Sequence, residues 1–284
     1  MKRGSLGEAG VTFLELLLAM VVGLVVLTAV YGVLINQSRE YQVHRENVDV
    51  AETLKGAATI LTSELWHASA SRGDLYSIAA QTISLRSFQT AGAFCGAASP
   101  RFGVWQPSGS FASTADDSAL VFRVTDQTWV RAKVTQVWSN PGSPYVASCA
   151  SSPTWTGGGT PPTVVQLGFQ TIATDTVGIR VGSAIRGFRA TTYSLIQSGG
   201  KSWLGRKVGN AASWDVVTGP LKPAASNGLQ IQYYDATGAV TATPAQVAMV
   251  VVTLRAESYV AVRGKGGVRA PRADSVSVTA YLRN

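Results

Sequence analysis

The sequence GVTFLELLLAMVVGLVVLTAVYGVLI, residues Gly10–Ile35, decides how this chain is organised. Its last twenty residues, Leu16–Ile35, contain no charged side chain. A helix rises about 1.5 Å per residue, so a helix of this length covers about 30 Å, the thickness of the hydrocarbon core of a bilayer. We therefore predict a transmembrane helix over about residues 16–35.

The ten residues Met1–Gly10 form a polar leader that carries Lys2 and Arg3. A secretory signal peptide places its basic region first, its apolar core next and a small-residue cleavage site last. Here the small residue, Gly10, comes before the apolar core. Cleavage between Gly10 and Val11 would remove the leader and leave the apolar segment at the new N-terminus.

The heptapeptide GVTFLEL, which begins at Gly10, resembles the type IV prepilin cleavage and methylation motif. The resemblance implies that a membrane prepilin peptidase cuts after Gly10 and methylates the new N-terminal amine, that of Val11. It also implies that Thr12 and Glu15 belong to the assembly motif. Glu15 is then expected to pair with the N-terminal amine of a neighbouring subunit.

Two features depart from the family pattern. Val11 stands where the family usually has Phe or Met, and the leader contains Glu8. Because Gly10 is in place, we still expect cleavage, with slower methylation.

The position of Glu15 supports the same interpretation on physical grounds. A carboxylate costs about 2.5–3.5 kcal/mol at the centre of a transmembrane helix on insertion scales, so such a residue usually has a function. A free amine at Val11 lies one helical turn away, and the two charges can neutralise each other within one subunit or between subunits. The alternative is an ordinary membrane anchor with Glu15 at the interface.

Helical periodicity continues beyond the apolar run. Apolar residues recur at spacings of three and four from Val43 to Ala68, which is typical of an amphipathic helix. We predict one helix over about Val11–Ser71, after the leader of residues 1–10. The remaining residues, 72–284, have strand-like patterns and form the predicted β-rich head. The predicted fold class is therefore α+β.

Period-two alternation and turn-forming residues predict the strands of the head. The predicted strands are Thr82–Phe88, Ala119–Val124, Trp129–Trp138, Thr163–Phe169, Thr176–Val181, Ala184–Ser194, Leu229–Asp235, Gln246–Tyr259 and Val276–Leu282. A loop rich in Gly, Pro and Ser is predicted between Asn140 and Pro162. The strand after Gly228, its turn and the Val-rich strand after Pro244 are similar to the head of PilW-type minor pilins.

Two cysteines, Cys95 and Cys149, are candidates for a disulfide. If the head faces an oxidising space, a bridge that closes this long loop is worth about 2–4 kcal/mol. Two unpaired thiols are the alternative, because the distance between the two residues cannot be obtained from the sequence.

Patterns typical of catalysis are absent from the sequence. Its two histidines, His44 and His67, lie on the predicted helix, and neither an HExxH nor a CxxC motif occurs. We therefore expect a structural protein rather than an enzyme, with no cofactor and no metal ion.

Positive charge is concentrated in the C-terminal part of the chain. Residues 11–178 carry 9 basic and 11 acidic residues, whereas residues 179–284 carry 13 and 4. Four of the basic residues lie between two predicted strands: Arg263, Lys265, Arg269 and Arg272. A cationic hairpin loop of this kind can bind the phosphates of a polyanion such as DNA in a salt-sensitive way. A solvated loop that repels neighbouring heads is the alternative.

The resemblance to type IV prepilins and to PilW-type minor pilins implies a minor pilin-like subunit that takes part in type IV pilus assembly, with a role in adhesion, motility or DNA uptake during natural competence. The predicted precursor is a single-pass inner-membrane protein with its head outside the cytoplasm, and it later joins the pilus or cell surface. The implied partners are the prepilin peptidase and other major and minor pilins. A J-type pseudopilin of a type II secretion system and a DNA- or surface-binding tip module remain alternatives.

Overall fold

The computed structural model describes residues 12–98, 101–108, 111, 117–138, 163–169, 178–263 and 268–283. Helix α1 runs from Phe13 to His67. It ends before the predicted Ser71 because the chain turns back on itself at this point. Asp74 accepts a hydrogen bond from the Ser69 N–H through Oδ2 at 2.9 Å and donates its own N–H to the Ser69 carbonyl at 3.0 Å.

Twelve strands follow α1 in the described residues, and the fold is α+β as predicted. In chain order they are β1 Leu75–Ala79, β2 Thr82–Ala98, β3 Arg101–Ser108, β4 Asp117–Arg123, β5 Thr128–Trp138, β6 Thr163–Phe169, β7 Ala184–Ser198, β8 Lys201–Val208, β9 Asp215–Leu221, β10 Leu229–Tyr234, β11 Met249–Arg263 and β12 Arg269–Tyr281. Two short 3-10 turns, Ala224–Ser226 and Pro244–Gln246, flank β10.

One predicted strand is wrong where the structure describes it. Residues 178–181 of the predicted strand Thr176–Val181 form a turn instead. Gly178 has φ +94°, which is unfavourable for other residues, and a Cβ there would clash with the Thr125 hydroxyl oxygen. The predicted loop between Asn140 and Pro162 lies outside the described residues.

The chain divides into two compact units, of which the larger comprises residues 50–257 and 273–284. In this unit the C-terminal part of α1 packs against the sheet through the buried side chains of Leu54, Leu61 and Leu65. Leucines of the strands complete this core, among them Leu85, Leu204, Leu221, Leu229 and Leu254. The spacing of three and four that predicted an amphipathic helix is therefore the spacing of the residues that are buried.

A second core lies inside a closed sheet of the same unit. Strands pair in the cycle β2–β3–β6–β5–β4–β7 and back to β2, with antiparallel neighbours throughout. The core contains the buried residues Phe94, Val104, Phe111, Ala119, Val121, Ala132, Val134 and Ile185. Inward-facing residues alternate with outward-facing ones along these strands, so the intervening side chains lie on the outer surface.

The other unit comprises residues 1–49 and 258–272. Its described part contains α1 up to Asp49 and the adjoining ends of β11 and β12. Ser258 connects the two strand ends: its hydroxyl accepts the Arg272 N–H at 2.9 Å and donates to the Val260 carbonyl at 2.7 Å. Within this unit a groove of about 680 Å³ lies between helix residues, among them Tyr31 and Arg45, and the strand residues 260–262.

Candidate functional site

The first turn of α1 brings together two residues of the predicted assembly motif. Thr12 directly precedes the helix, and its hydroxyl accepts a hydrogen bond from the Glu15 N–H at 3.3 Å. The Thr12 carbonyl also accepts the N–H groups of Glu15 and Leu16, at 3.0 and 3.2 Å. Thr12 is therefore the N-cap of α1, and Glu15 is an acidic residue in the first turn, where the helix dipole favours negative charge.

The apolar half of α1 is uncovered by the rest of the described chain. Phe13 is 78% exposed, Leu24 is 69% exposed and Leu34 is 57% exposed. Among the described residues, α1 is the one helix long and apolar enough to cross a membrane, with a mean hydropathy of 2.6 over its most apolar window. An apolar surface of this extent is unfavourable in water, at about 25 cal/mol for each Å². It therefore indicates burial in a membrane or against other helices.

Glu15 is exposed at the start of this apolar surface. It lies beside Leu14, Leu18 and Val21 in a small surface hollow. Its carboxylate is thus available to a group from outside the chain. Gly10 and Val11 lie outside the described residues, so cleavage between them and methylation of Val11 remain predictions.

The structure describes one of the two cysteines, Cys95. Cys95 lies on β2 with 1% of its surface exposed, and it is disulfide-bonded. Cys149 lies outside the described residues. The pairing of Cys95 with Cys149 remains a prediction.

The basic cluster predicted as a hairpin loop is placed largely on strands. Arg263 is the last residue of β11, and Arg269 and Arg272 lie on β12, so the strands extend into the predicted loop. Arg269 is exposed and lines the groove beside α1, whereas Arg272 is partly buried. Lys265 lies outside the described residues. Only part of the cluster therefore lies between the strands, and a gathering of all four side chains remains a prediction.

A carboxylate of α1 faces the sheet in the larger unit. Glu64 Oε1 accepts hydrogen bonds from the hydroxyls of Ser87 at 2.9 Å and Tyr193 at 3.2 Å. Burial, reinforced by the nearby negative charge of Glu64, raises the pKa of the Tyr193 phenol well above its ordinary value of 10.0. Tyr193 therefore stays neutral and acts as a hydrogen-bond donor that links helix to sheet, not as a base.

A group of arginines on the outer face of the closed sheet was not predicted from the sequence. Arg131 on β5 and Arg186 on β7 lie in one groove with Trp129. A signal for part of it was present: Trp129, Arg131 and Lys133 occupy alternate positions of one strand and therefore share a face. In the part of the chain that the structure describes, no group of three or more His, Cys, Asp or Glu side chains is arranged to hold a metal ion.

No family model and no curated protein matches the chain. One solved structure with which it shares similarity is the type IV-like pilin TTHA1219 from Thermus thermophilus, at 12% sequence identity. The match covers 82% of this chain and 96% of that chain with a TM-score of 0.25.

Proposed function

We propose that this chain is a type IV pilin-like structural subunit of the PilW-type minor class, which acts by assembly rather than by catalysis. The observation that carries the proposal is the uncovered apolar half of α1, from Leu16 to Leu34, directly after the motif Gly10–Glu15. A membrane buries this apolar surface before assembly, and the helices of neighbouring pilins bury it afterwards.

The proposed mechanism begins at the N-terminal motif. The prepilin peptidase cuts between Gly10 and Val11, and the new N-terminus then directly precedes the N-cap, Thr12. The cap orders the first turn of α1 and so fixes the direction from which Glu15 is approached. In an apolar environment the Glu15 carboxylate needs a positive partner, and the Val11 amine of a neighbouring subunit provides it. This requirement sets the register between subunits.

The proposal also assigns a location and partners. The precursor is held in the inner membrane by α1, with the β-rich head outside the cytoplasm, and the assembled subunit lies in the pilus or at the cell surface. Its partners are the prepilin peptidase and other major and minor pilins. Adhesion, motility and DNA uptake in natural competence are the processes that such a subunit serves.

The experiment that tests the proposal replaces Glu15 and follows assembly separately from insertion. We expect Glu15→Ala to insert into the membrane and to be cut normally, while its amount in sheared pili falls about tenfold or more, because the pairing charge is lost. Glu40→Ala is the matched control, since Glu40 is an exposed glutamate of the same helix beyond the apolar run. Incorporation of Glu15→Ala at the wild-type level would contradict the assigned role.

Deletion of the whole chain distinguishes the proposal from the alternative of a type II secretion pseudopilin. We expect the deletion to reduce piliation or pilus-dependent processes and to leave the secretion of exported enzymes unchanged. Loss of enzyme secretion with intact pili would replace the pilus assignment by the pseudopilin assignment.

A further inference from the structure

The outer face of the closed sheet has a groove of about 780 Å³ in the larger unit. Ala119, Val121 and Ala132 are buried inside the closed sheet, so the alternate residues of their strands face outwards. Leu120 on β4 is one of these, and in the strand register it lies opposite Arg131 on β5 and Arg186 on β7. The two arginines therefore flank one leucine on the same face of three neighbouring strands.

The other wall of the groove comes from the end of α1 and the C-terminal segment. Arg72, Arg283 and His67 line this wall. The C-terminal segment is fixed by backbone hydrogen bonds: the Arg283 N–H donates to the Ala68 carbonyl at 3.3 Å, and the Leu282 N–H donates to Ala248 at 2.9 Å. The groove is of the size at which proteins commonly bind small ligands.

The charges that line the groove are strongly unbalanced. Among the described lining residues the one carboxylate is that of Asp74, and it is bonded to the guanidinium of Arg86 at 2.6 Å. The other four arginines of the groove, Arg72, Arg131, Arg186 and Arg283, have no carboxylate partner in the part of the chain that the structure describes. Arginine stays charged at all ordinary pH values, so these four groups repel one another and favour an anion between them.

An aromatic ring holds one of these groups, the Arg186 guanidinium, in place. The Arg186 guanidinium lies 4.9 Å from the centre of the Trp129 ring, and Trp129 also packs against Phe122 with ring centres 5.2 Å apart. Trp129 is thus engaged by the protein itself, so its role is to orient a guanidinium group rather than to stack on a ligand. The planar donors of arginine match the oxygens of phosphate and carboxylate groups in pairs.

We propose that this groove binds a ligand that carries two or more closely spaced phosphate groups, because four guanidinium groups without a carboxylate partner among the described residues require several negative charges. Free polyphosphate and the phosphate backbone of a nucleic acid share this chemistry. The site is distinct from the cluster of Arg263, Lys265, Arg269 and Arg272. It uses residues of the larger unit alone, so it does not depend on the proposed function.

Calorimetric titration of the full chain in detergent micelles with inorganic tripolyphosphate tests the proposal. We expect saturable binding that weakens from about 50 to about 200 mM salt. The double variant Arg131→Gln/Arg186→Gln should lose about tenfold or more in affinity, because two charge-assisted contacts are removed. Arg180→Gln/Lys207→Gln is the matched control, since it removes the same charge from the same unit outside the groove. The control should bind as the wild type does.

A second double variant, Arg72→Gln/Arg283→Gln, changes the opposite wall and keeps the test informative if the first variant fails to fold. Affinity that is unchanged in the groove variants, or reduced equally in the control, would overturn the proposal. A duplex oligonucleotide titrated in parallel identifies the source of the phosphates. Binding that tripolyphosphate displaces and that the groove variants lose points to a nucleic acid backbone, whereas binding of tripolyphosphate alone points to a free polyphosphate.

Discussion

Thr12 and Glu15 stabilise the first turn of α1, in addition to the assembly roles proposed for them. The Thr12 hydroxyl accepts the Glu15 N–H, which is one of the N–H groups that a helix start leaves unpaired. An alanine in place of an N-cap threonine costs about 1 kcal/mol of helix stability. A threonine followed three residues later by a glutamate is therefore a physically sensible way to begin a helix whose next residues are apolar.

Asp235 gives the larger unit a pH-dependent stability at acidic pH. Its Oδ1 accepts hydrogen bonds from the Thr237 hydroxyl at 2.6 Å, the Thr237 N–H at 2.8 Å and the Ala239 N–H at 3.0 Å. The Thr237 hydroxyl contributes most, and together these bonds hold the pKa of Asp235 below its ordinary value of 3.8. The folded state therefore binds the proton less tightly than the unfolded state. The contribution of Asp235 to the free energy of unfolding is complete at pH values above its ordinary pKa of 3.8.

We predict that the melting temperature of the wild type exceeds that of Asp235→Asn by a constant amount above about pH 4, and that the difference shrinks as the pH falls through the folded-state pKa. Thermal unfolding followed by circular dichroism over a series of pH values measures it. Asp274→Asn serves as the control, because Asp274 is exposed and bonds only to its neighbouring Ser275 N–H among the described contacts. A wild-type advantage that stays constant down to about pH 3 would contradict the prediction.

The junction between α1 and β1 is stabilised by one buried ion pair. Arg86 Nη1 and Asp74 Oδ1 form a salt bridge at 2.6 Å, and the two side chains are 3% and 14% exposed. Asp74 also accepts the Ser69 N–H, and the Arg86 N–H donates to the Asp74 carbonyl at 2.8 Å. The pair therefore links the turn that ends α1, which contains Asp74, to β2, which contains Arg86.

We predict that Asp74→Asn lowers the free energy of unfolding by about 3–5 kcal/mol, because Arg86 is left buried without a countercharge. The matched control is Asp215→Asn, which breaks the pair with Arg206 at 3.6 Å, whose side chains are 64% and 47% exposed. The control should cost about 0–1 kcal/mol. Denaturant unfolding of the full chain in detergent compares the two. Equal losses would show that burial does not determine the strength of the Arg86 pair.

Strands with a long apolar alternation could be predicted from the sequence, whereas short strands and strands interrupted by turn-forming residues could not. The predicted strand Thr163–Phe169 has the bounds of β6, and the predicted strand Trp129–Trp138 differs from β5 by one residue. Four strands, β1, β3, β8 and β9, were not predicted. β3 and β9 each contain a glycine and a proline, residues that usually indicate turns, β8 contains Gly205, and β1 has only five residues. β12 begins at Arg269, whereas the predicted strand began at Val276. The difference arises because the first half of β12 is exposed and lacks the apolar alternation by which a strand is predicted.

The arrangement of the strands in the larger unit could not be predicted from the sequence. The twelve strands form one sheet, and the long strands β2 and β7 contribute both to its part beneath α1 and to its closed six-stranded part, so the larger unit has two cores. Sequence patterns predict that a strand exists but not that it is shared between two parts of a sheet. The motif Gly10–Glu15 could be found in the sequence because its residues are consecutive. The arginine groove could not be found in this way, because its walls come from distant segments between His67 and Arg283.

If the chain is a pilin-like subunit, cleavage after Gly10 places the exposed apolar half of α1 at the N-terminus of the mature protein. Intact mass and N-terminal sequencing of the membrane-extracted chain, produced with and without the prepilin peptidase, detect this cleavage. We predict a chain that begins at N-methylated Val11 when the peptidase is present and at Met1 when it is absent. A chain that begins at Met1 in both cases would contradict the account and leave α1 as an ordinary membrane anchor.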